Sequence, residues 1–310
     1  MTSGRKAFTL IELVVALGIT AVIGYFFVSI GRDFAIAWDN VGNSVARETE
    51  ARGALDAITR DFESAFFREG SDVMFAIDVL DDKSNAGAKW ETGSVERPSG
   101  DGFDAANHEY GWAGCWVRLI CASPSLNAVG YQIIRSTIKD AIGLPRYMLY
   151  RNVVTVEDTV DNSISSGFDL TSAVYTTNGD VITPKRPNIL AVNVVDFGAR
   201  LYVYEDPSTD SSLDDAPDGL RLIFPADASS RLETTIPAGL RHRANTFLGT
   251  TYVNRYPDVV EIFIRILDEK GASELSAMEE SGLNDQWEEI VADNSKLYRR
   301  FIVVRGKGGL

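Results

Sequence analysis

Histidine and cysteine are the scarcest chemistry-bearing residues of this chain, with two of each among 310. His108 and His242 cannot supply an HExxH pair, and GxSxG, P-loop and Gly-rich dinucleotide patterns are missing. No catalytic triad or nucleotide cradle can be nominated, and the chain is read as a non-enzyme. His242 lies in Arg241-His242-Arg243, which reads as an exposed basic patch, and His108 beside Glu109 reads as solvated or structural.

Two cysteines exclude a disulfide framework. Cys115 and Cys121 bracket Cys115-Trp116-Val117-Arg118-Leu119-Ile120-Cys121, a strand pattern that puts both sulfurs on one face roughly 20 Å apart. A straight strand cannot bridge them, so they read as core thiols. Positive charge is also short: 30 Lys and Arg against 44 Asp and Glu give a net charge of -14, which disfavours nucleic acid as a partner.

What the chain does have is one long apolar run. Arg5-Lys6-Ala7-Phe8-Thr9-Leu10-Ile11-Glu12-Leu13-Val14-Val15-Ala16-Leu17 opens it, and it lasts to about Ile30, long enough to span a bilayer. It contains one acid, Glu12, and an unpaired carboxylate in lipid costs about 3 kcal/mol, so its presence marks function. Arg5 and Lys6 before the run, with an acidic stretch after it, favour a cytoplasmic N-terminus and an exported body. A cleaved secretory signal with a small-x-small site at Ala35-Ile36-Ala37 ranks behind this reading, because the run exceeds a usual signal core and Glu12 has no role in export.

Beyond the run, Phe34, Trp38, Val41, Val45, Ala51, Leu55, Ile58, Phe62 and Phe66 recur mostly three or four apart, which predicts that the helix continues. From Phe8 to about Arg68 it would rise roughly 90 Å, with Glu69-Gly70-Ser71 as its end. Shorter segments follow. Strands are expected over 73–80, 114–121, 130–136, 147–154, 189–204 (with a bulge at Gly198), 220–224 and 298–304. Val260, Ile262, Ile264 and Ile266 alternate with Glu261, Phe263 and Arg265, which predicts a half-buried strand. Residues 81–107 read as a long insertion and 273–293 as helical. Asp206, Asp210, Asp214, Asp215 and Asp218 form the one cluster with calcium-like chemistry, but EF-hand spacing is missing and a solvated acidic loop is the favoured reading.

Phe8-Thr9-Leu10-Ile11-Glu12 behind a short basic leader resembles the processing and methylation motif of type IV prepilins and of type II secretion pseudopilins. The order of Ala57-Ile58-Thr59-Arg60-Asp61-Phe62, Tyr131-Gln132-Ile133-Ile134, Leu149-Tyr150-Arg151, residues 190–203, Tyr256-Pro257-Asp258-Val259-Val260-Glu261 and Tyr298-Arg299-Arg300-Phe301 is similar to J-type minor pseudopilins. Long pilin-like proteins of Verrucomicrobia cassettes are also similar. The family usually has Gly before the cut, where this chain has Ala7, and Gly4 is a competing site that would shift Glu12 out of its usual place.

The resemblance implies an α+β protein whose long N-terminal helix, transmembrane in its first half, packs on a mainly antiparallel sheet body with large loop insertions. It implies a leader at 1–7 cut between Ala7 and Phe8, a transmembrane half at 8–30, an amphipathic half at 31–69 and an exported body at 70–310. Phe8 would carry the N-methylated amine, and Glu12 would serve assembly by facing the terminal amine of a neighbouring subunit. The implied partners are a prepilin peptidase, an inner-membrane assembly platform, other minor and major pseudopilins, and membrane lipid before assembly. The implied location is the inner membrane with a periplasmic body, then a pseudopilus tip supporting secretion. No cofactor is implied. A minor type IV pilin for adhesion or DNA uptake, and an exported enzyme or binding module on a pilin-type anchor, are the alternatives.

Overall fold

A computed structural model describes residues 9–79, 95–96, 115–122, 126–136, 146–155, 168–176, 178–182, 186–204, 219–224, 241–248, 252–281 and 287–305. The chain divides into two compact units, Met1–Ala46 and Arg47–Leu310. The α+β composition is as expected: a long apolar N-terminal helix followed by antiparallel sheets.

Helix α1 (Leu10–Glu63) runs through the first unit and into the second. Within the first unit, Leu10–Arg32 has a mean hydropathy of 2.4 and none of it is buried. An apolar surface of this length has no reason to face water, so its composition and length suit lipid. In the second unit, Ala51, Ala54, Leu55, Ile58 and Phe62 are buried at helical spacing. Burial of each of the three large side chains contributes about 1.5–3 kcal/mol.

The helix stops at Glu63, before the Glu69-Gly70-Ser71 end read from the sequence. Its backbone finds other partners there. The Phe66 N–H donates to the Ile120 carbonyl at 2.8 Å, the Ala122 N–H donates to the Ser64 carbonyl at 2.8 Å, and Ala65 bridges Cys121. The C-terminal end of β3 thus takes over the groups that another helical turn would have used.

The larger sheet contains β1 (Phe75–Val79), β2 (Val95–Glu96), β3 (Cys115–Cys121), β4 (Asn127–Ser136), β5 (Arg146–Val154), β6 (Ile189–Val192) and β9 (Arg241–Ala244). Its order is β6-β5-β4-β3-β1-β9, with β2 on the far end of β4. The smaller sheet is β11-β10-β7-β8, from β7 (Val194–Tyr204), β8 (Leu220–Phe224), β10 (Val259–Leu267) and β11 (Ser295–Val303). Every pairing among the described strands is antiparallel. The inner faces meet around Tyr131 and Phe197, whose ring centroids lie 6.4 Å apart. At Gly130 on β4 the side chain of Asn152 on β5 occupies the space beside the backbone, where a Cβ would come 2.6 Å from Asn152 Oδ1.

The segment over 168–182 covers the other face of the larger sheet with two one-turn helices, Ala173–Thr176 and Gly179–Ile182. Gln132 Nε2 donates to the Val181 carbonyl, and the Tyr150 hydroxyl donates to the Asp180 carbonyl at 2.6 Å. Helices α2 (Glu269–Glu280) and α3 (Trp287–Asn294) lie between β10 and β11, so the helical reading of 273–293 resolves into two pieces.

Three local expectations change. The break in 189–204 falls at Asn193, whose φ of 58° ends β6, whereas Gly198 pairs regularly with Phe263. Strand β10 is buried on both faces except at Arg265: the Arg200 and Arg299 guanidiniums lie over the Phe263 ring, and the Tyr202 hydroxyl donates to Glu261 at 2.8 Å. Strand β9, unread in the sequence, buries His242 to 1% exposure. Beyond Val95–Glu96, residues 81–107 lie outside the described residues, as do His108 and the aspartates from Asp206 to Asp218.

Candidate functional site

The helix of the N-terminal motif starts at Leu10 because Thr9 caps it. Glu12 Oε2 accepts from the Thr9 N–H and from the Thr9 hydroxyl, both at 2.9 Å. Thr9 Oγ1 in turn accepts from the Glu12 N–H at 3.3 Å. This is a capping box, Thr-x-x-Glu, in which each residue satisfies an otherwise orphaned backbone donor of the other. The carboxylate therefore has a defined position, at the end of the helix where the macrodipole is positive. Its Oε1 accepts no hydrogen bond among the described residues, which leaves one oxygen to meet a cation from outside the chain. Ala7 and Phe8, read as the cleavage and methylation positions, lie outside the described residues.

Around Glu12 the helix surface is apolar and open. Leu10 is 81% exposed and Ile11 71%, and the exposed large side chains continue through Leu13, Val14, Leu17, Ile19, Ile23, Phe27 and Ile30. Gly18, Gly24 and Gly31 have open space where a Cβ would stand. The arrangement suits insertion into lipid or packing against other helices, with Glu12 as its one carboxylate.

In the second unit the polar groups that attract notice are engaged internally. Asp61, on the last turn of α1, accepts from Arg151 Nε at 2.7 Å and Nη2 at 3.0 Å, and from the Tyr131 hydroxyl. Burial first, and then the Asp61 charge, push the Tyr131 phenol well above its ordinary range. Burial works against the Arg151 charge, yet the bonds to Asp61 and the Asp61 charge raise its pKa. Asp61 and Arg151 themselves line a partly open cleft of about 690 Å³, together with Arg60, Glu63, Pro187, Asn188 and Leu190. Because Asp61 is held by a bidentate guanidinium, it is a fixed charge that ties helix to sheet.

A second cluster sits on the opposite face of the larger sheet. Arg118 and Arg243 both donate to Asp78, and Arg241 Nε stands 3.7 Å from it. Arg118 is 3% exposed, donates to the Leu170 carbonyl at 2.7 Å and stacks 3.6 Å over Trp116. Burial lowers its pKa to about 10, so it keeps its charge at neutral pH. His242 lies between Phe75 and Phe224 with Nε2 2.9 Å from the Arg255 carbonyl, and burial depresses its pKa to about 4. Sequence reading placed it outside, although strand alternation carries the signal: Arg241 and Arg243 turn to Asp78 and the residue between them turns inward. No group of three His, Cys, Asp or Glu able to hold a metal occurs among the described residues.

Comparison with known proteins bears on the N-terminus alone. Residues 2–24 match a family described as the prokaryotic N-terminal methylation motif. No curated protein and no solved structure matches the chain. The matched residues include Ala7, Phe8, Thr9 and Glu12, so the capping box and the first part of the exposed apolar helix fall within the motif. A prepilin-type motif on an apolar N-terminal helix implies processing by a prepilin peptidase and assembly with other pilin subunits.

Proposed function

We propose that this protein is a pilin-like structural subunit of the minor pseudopilin kind, which works by assembling and carries no catalytic role or cofactor. The observation that carries the reading is the methylation motif at residues 2–24, leading into a helix whose first 23 residues are apolar and unburied. In this scheme the leader is cut between Ala7 and Phe8, the Phe8 amine is methylated, and the helix waits in the inner membrane with the body in the periplasm. Extraction then places the helix among those of other subunits. Glu12 supplies the docking charge: its carboxylate in a low dielectric is stabilised by the terminal amine of a neighbour, and either charge alone is costly there.

A place near the tip of a type II secretion pseudopilus, beside other minor subunits, is the finer reading, supported by the J-like order of segments in the body. The engaged state of Asp61, Asp78 and His242 supports a structural body over an enzyme carried on a pilin anchor. Mass spectrometry of the mature N-terminus tests the scheme. An N-methylated Phe8 is expected, whereas a start at Trp38 or an intact Met1 sinks it. Replacement Glu12→Ala is expected to abolish co-purification with pilin-like subunits, and unchanged co-purification removes the docking role.

A further inference from the structure

The chain beyond the apolar run holds an exposed aromatic pair. Phe34 and Trp38 stand one turn apart on α1, stacked with centroids 6.0 Å apart and exposed by 66% and 69%. The sequence around them, Phe34-Ala35-Ile36-Ala37-Trp38, is an apolar island between Arg32-Asp33 and Asp39-Asn40. Two large rings exposed in water on a helix gain nothing by folding alone, so their occupant lies outside the first unit.

Their distance from the span names that occupant. The span Leu10–Arg32 has 23 residues and rises about 35 Å, close to the roughly 30 Å of a bilayer's hydrocarbon core. Its end at Arg32 falls at the edge of the hydrocarbon, where a guanidinium reaches the headgroups. Phe34 follows about 3 Å further along the axis and Trp38 about 9 Å, against an interfacial layer about 5–8 Å deep. Helical side chains lean toward the N-terminus, and the stacking of Trp38 with Phe34 fits that lean, which carries the indole back into the layer. Tryptophan is enriched at this level because its ring is apolar and its N–H is polar.

We propose that Phe34 and Trp38 form an interfacial aromatic anchor that seats in the lipid headgroup layer and fixes how deep the helix sits before assembly. The inference rests on the reading of Leu10–Arg32 as a membrane span, and its partner is a lipid surface. Such an anchor opposes sliding of the helix in either direction, so extraction of the subunit must first pull the two rings out of the interface.

The test reconstitutes the full chain into phosphatidylcholine vesicles with acyl chains brominated at shallow or deep positions. The chain has five tryptophans, so the Trp38 signal is taken as the wild-type fluorescence minus that of Trp38→Phe. The Trp38 component is expected to be quenched about twofold more by shallow than by deep bromines. Equal or deeper quenching, or none, overturns the anchor. Flotation separates the two readings: a chain that floats with vesicles while Trp38 escapes shallow quenching loses the anchor and keeps the span. A chain that does not float loses both.

Discussion

Asp61 is the residue whose loss the body should feel most. Its side chain is nearly buried and holds Arg151 and Tyr131 from the last turn of α1. Removing one partner of a buried pair leaves the other charge uncompensated, at about 3–5 kcal/mol. Arg151 is partly exposed, so the lower end applies, and Asp61→Ala is expected to lower Tm by roughly 6–12 °C. A thermal melt that moves by no more than a degree or two would show that the pair contributes nothing. His242 makes the second prediction at this scale. Its folded pKa, about 4, lies below the ordinary 6.5, so the unfolded chain binds the extra proton first. Its contribution to stability is complete above pH 6.5 and is lost as pH falls toward 4, by about 3 kcal/mol in all. In His242→Phe that part of the acid destabilisation should vanish, and urea melts across this window would show it.

Among the elements, the break between β6 and β7 is decided by one residue. Asn193 takes a φ of 58°, a left-handed conformation that Asn tolerates and β-branched residues do not. Replacement Asn193→Val is expected to cost about 1–3 kcal/mol, whereas Asn193→Gly keeps the turn and loses only the 3.3 Å bond from Nδ2 to Glu269. Equal Tm losses in the two variants would contradict this account. The sequence showed Gly198 as the flexible point, because glycine is the usual break in a strand. It missed Asn193, since the left-handed turn depends on β6 and β7 joining different sheets. Helix α1 was legible where its apolar residues repeat, but its end was not. Phe66 continues the helical spacing, yet β3 captures the backbone of 64–66. Likewise His242 was hidden by its two arginine neighbours, although the same alternation that exposes them to Asp78 buries it.

For the molecule as a whole, the two thiols give a simple test of the fold. Cys115 and Cys121 are free and buried at the two ends of β3, and burial raises both pKa values to about 12. Almost no thiolate exists at pH 8, and reagents cannot reach either sulfur in the native state. Alkylation followed by mass spectrometry should find both unmodified until denaturant unfolds the second unit, and both modified together afterwards. Rapid labelling of one without denaturant would mean that its end of β3 opens independently. The sequence anticipated this state, because a strand of seven residues separates the sulfurs too far for a bridge.

The sequence by itself determined the features that depend on neighbours along the chain. These are the apolar span, the one acid in it, the Thr9–Glu12 cap spacing and most strand positions. Each follows from local periodicity or from contacts three or four residues apart, and local patterns are written directly in residue order. Only the tertiary structure decided where α1 stops, that β10 is covered on both faces, that Asn193 turns the chain, and that Asp61, Asp78 and His242 are held inside. Those outcomes depend on which distant strand lies alongside, and residue order does not state the energy of burying a polar group until its partner is in place.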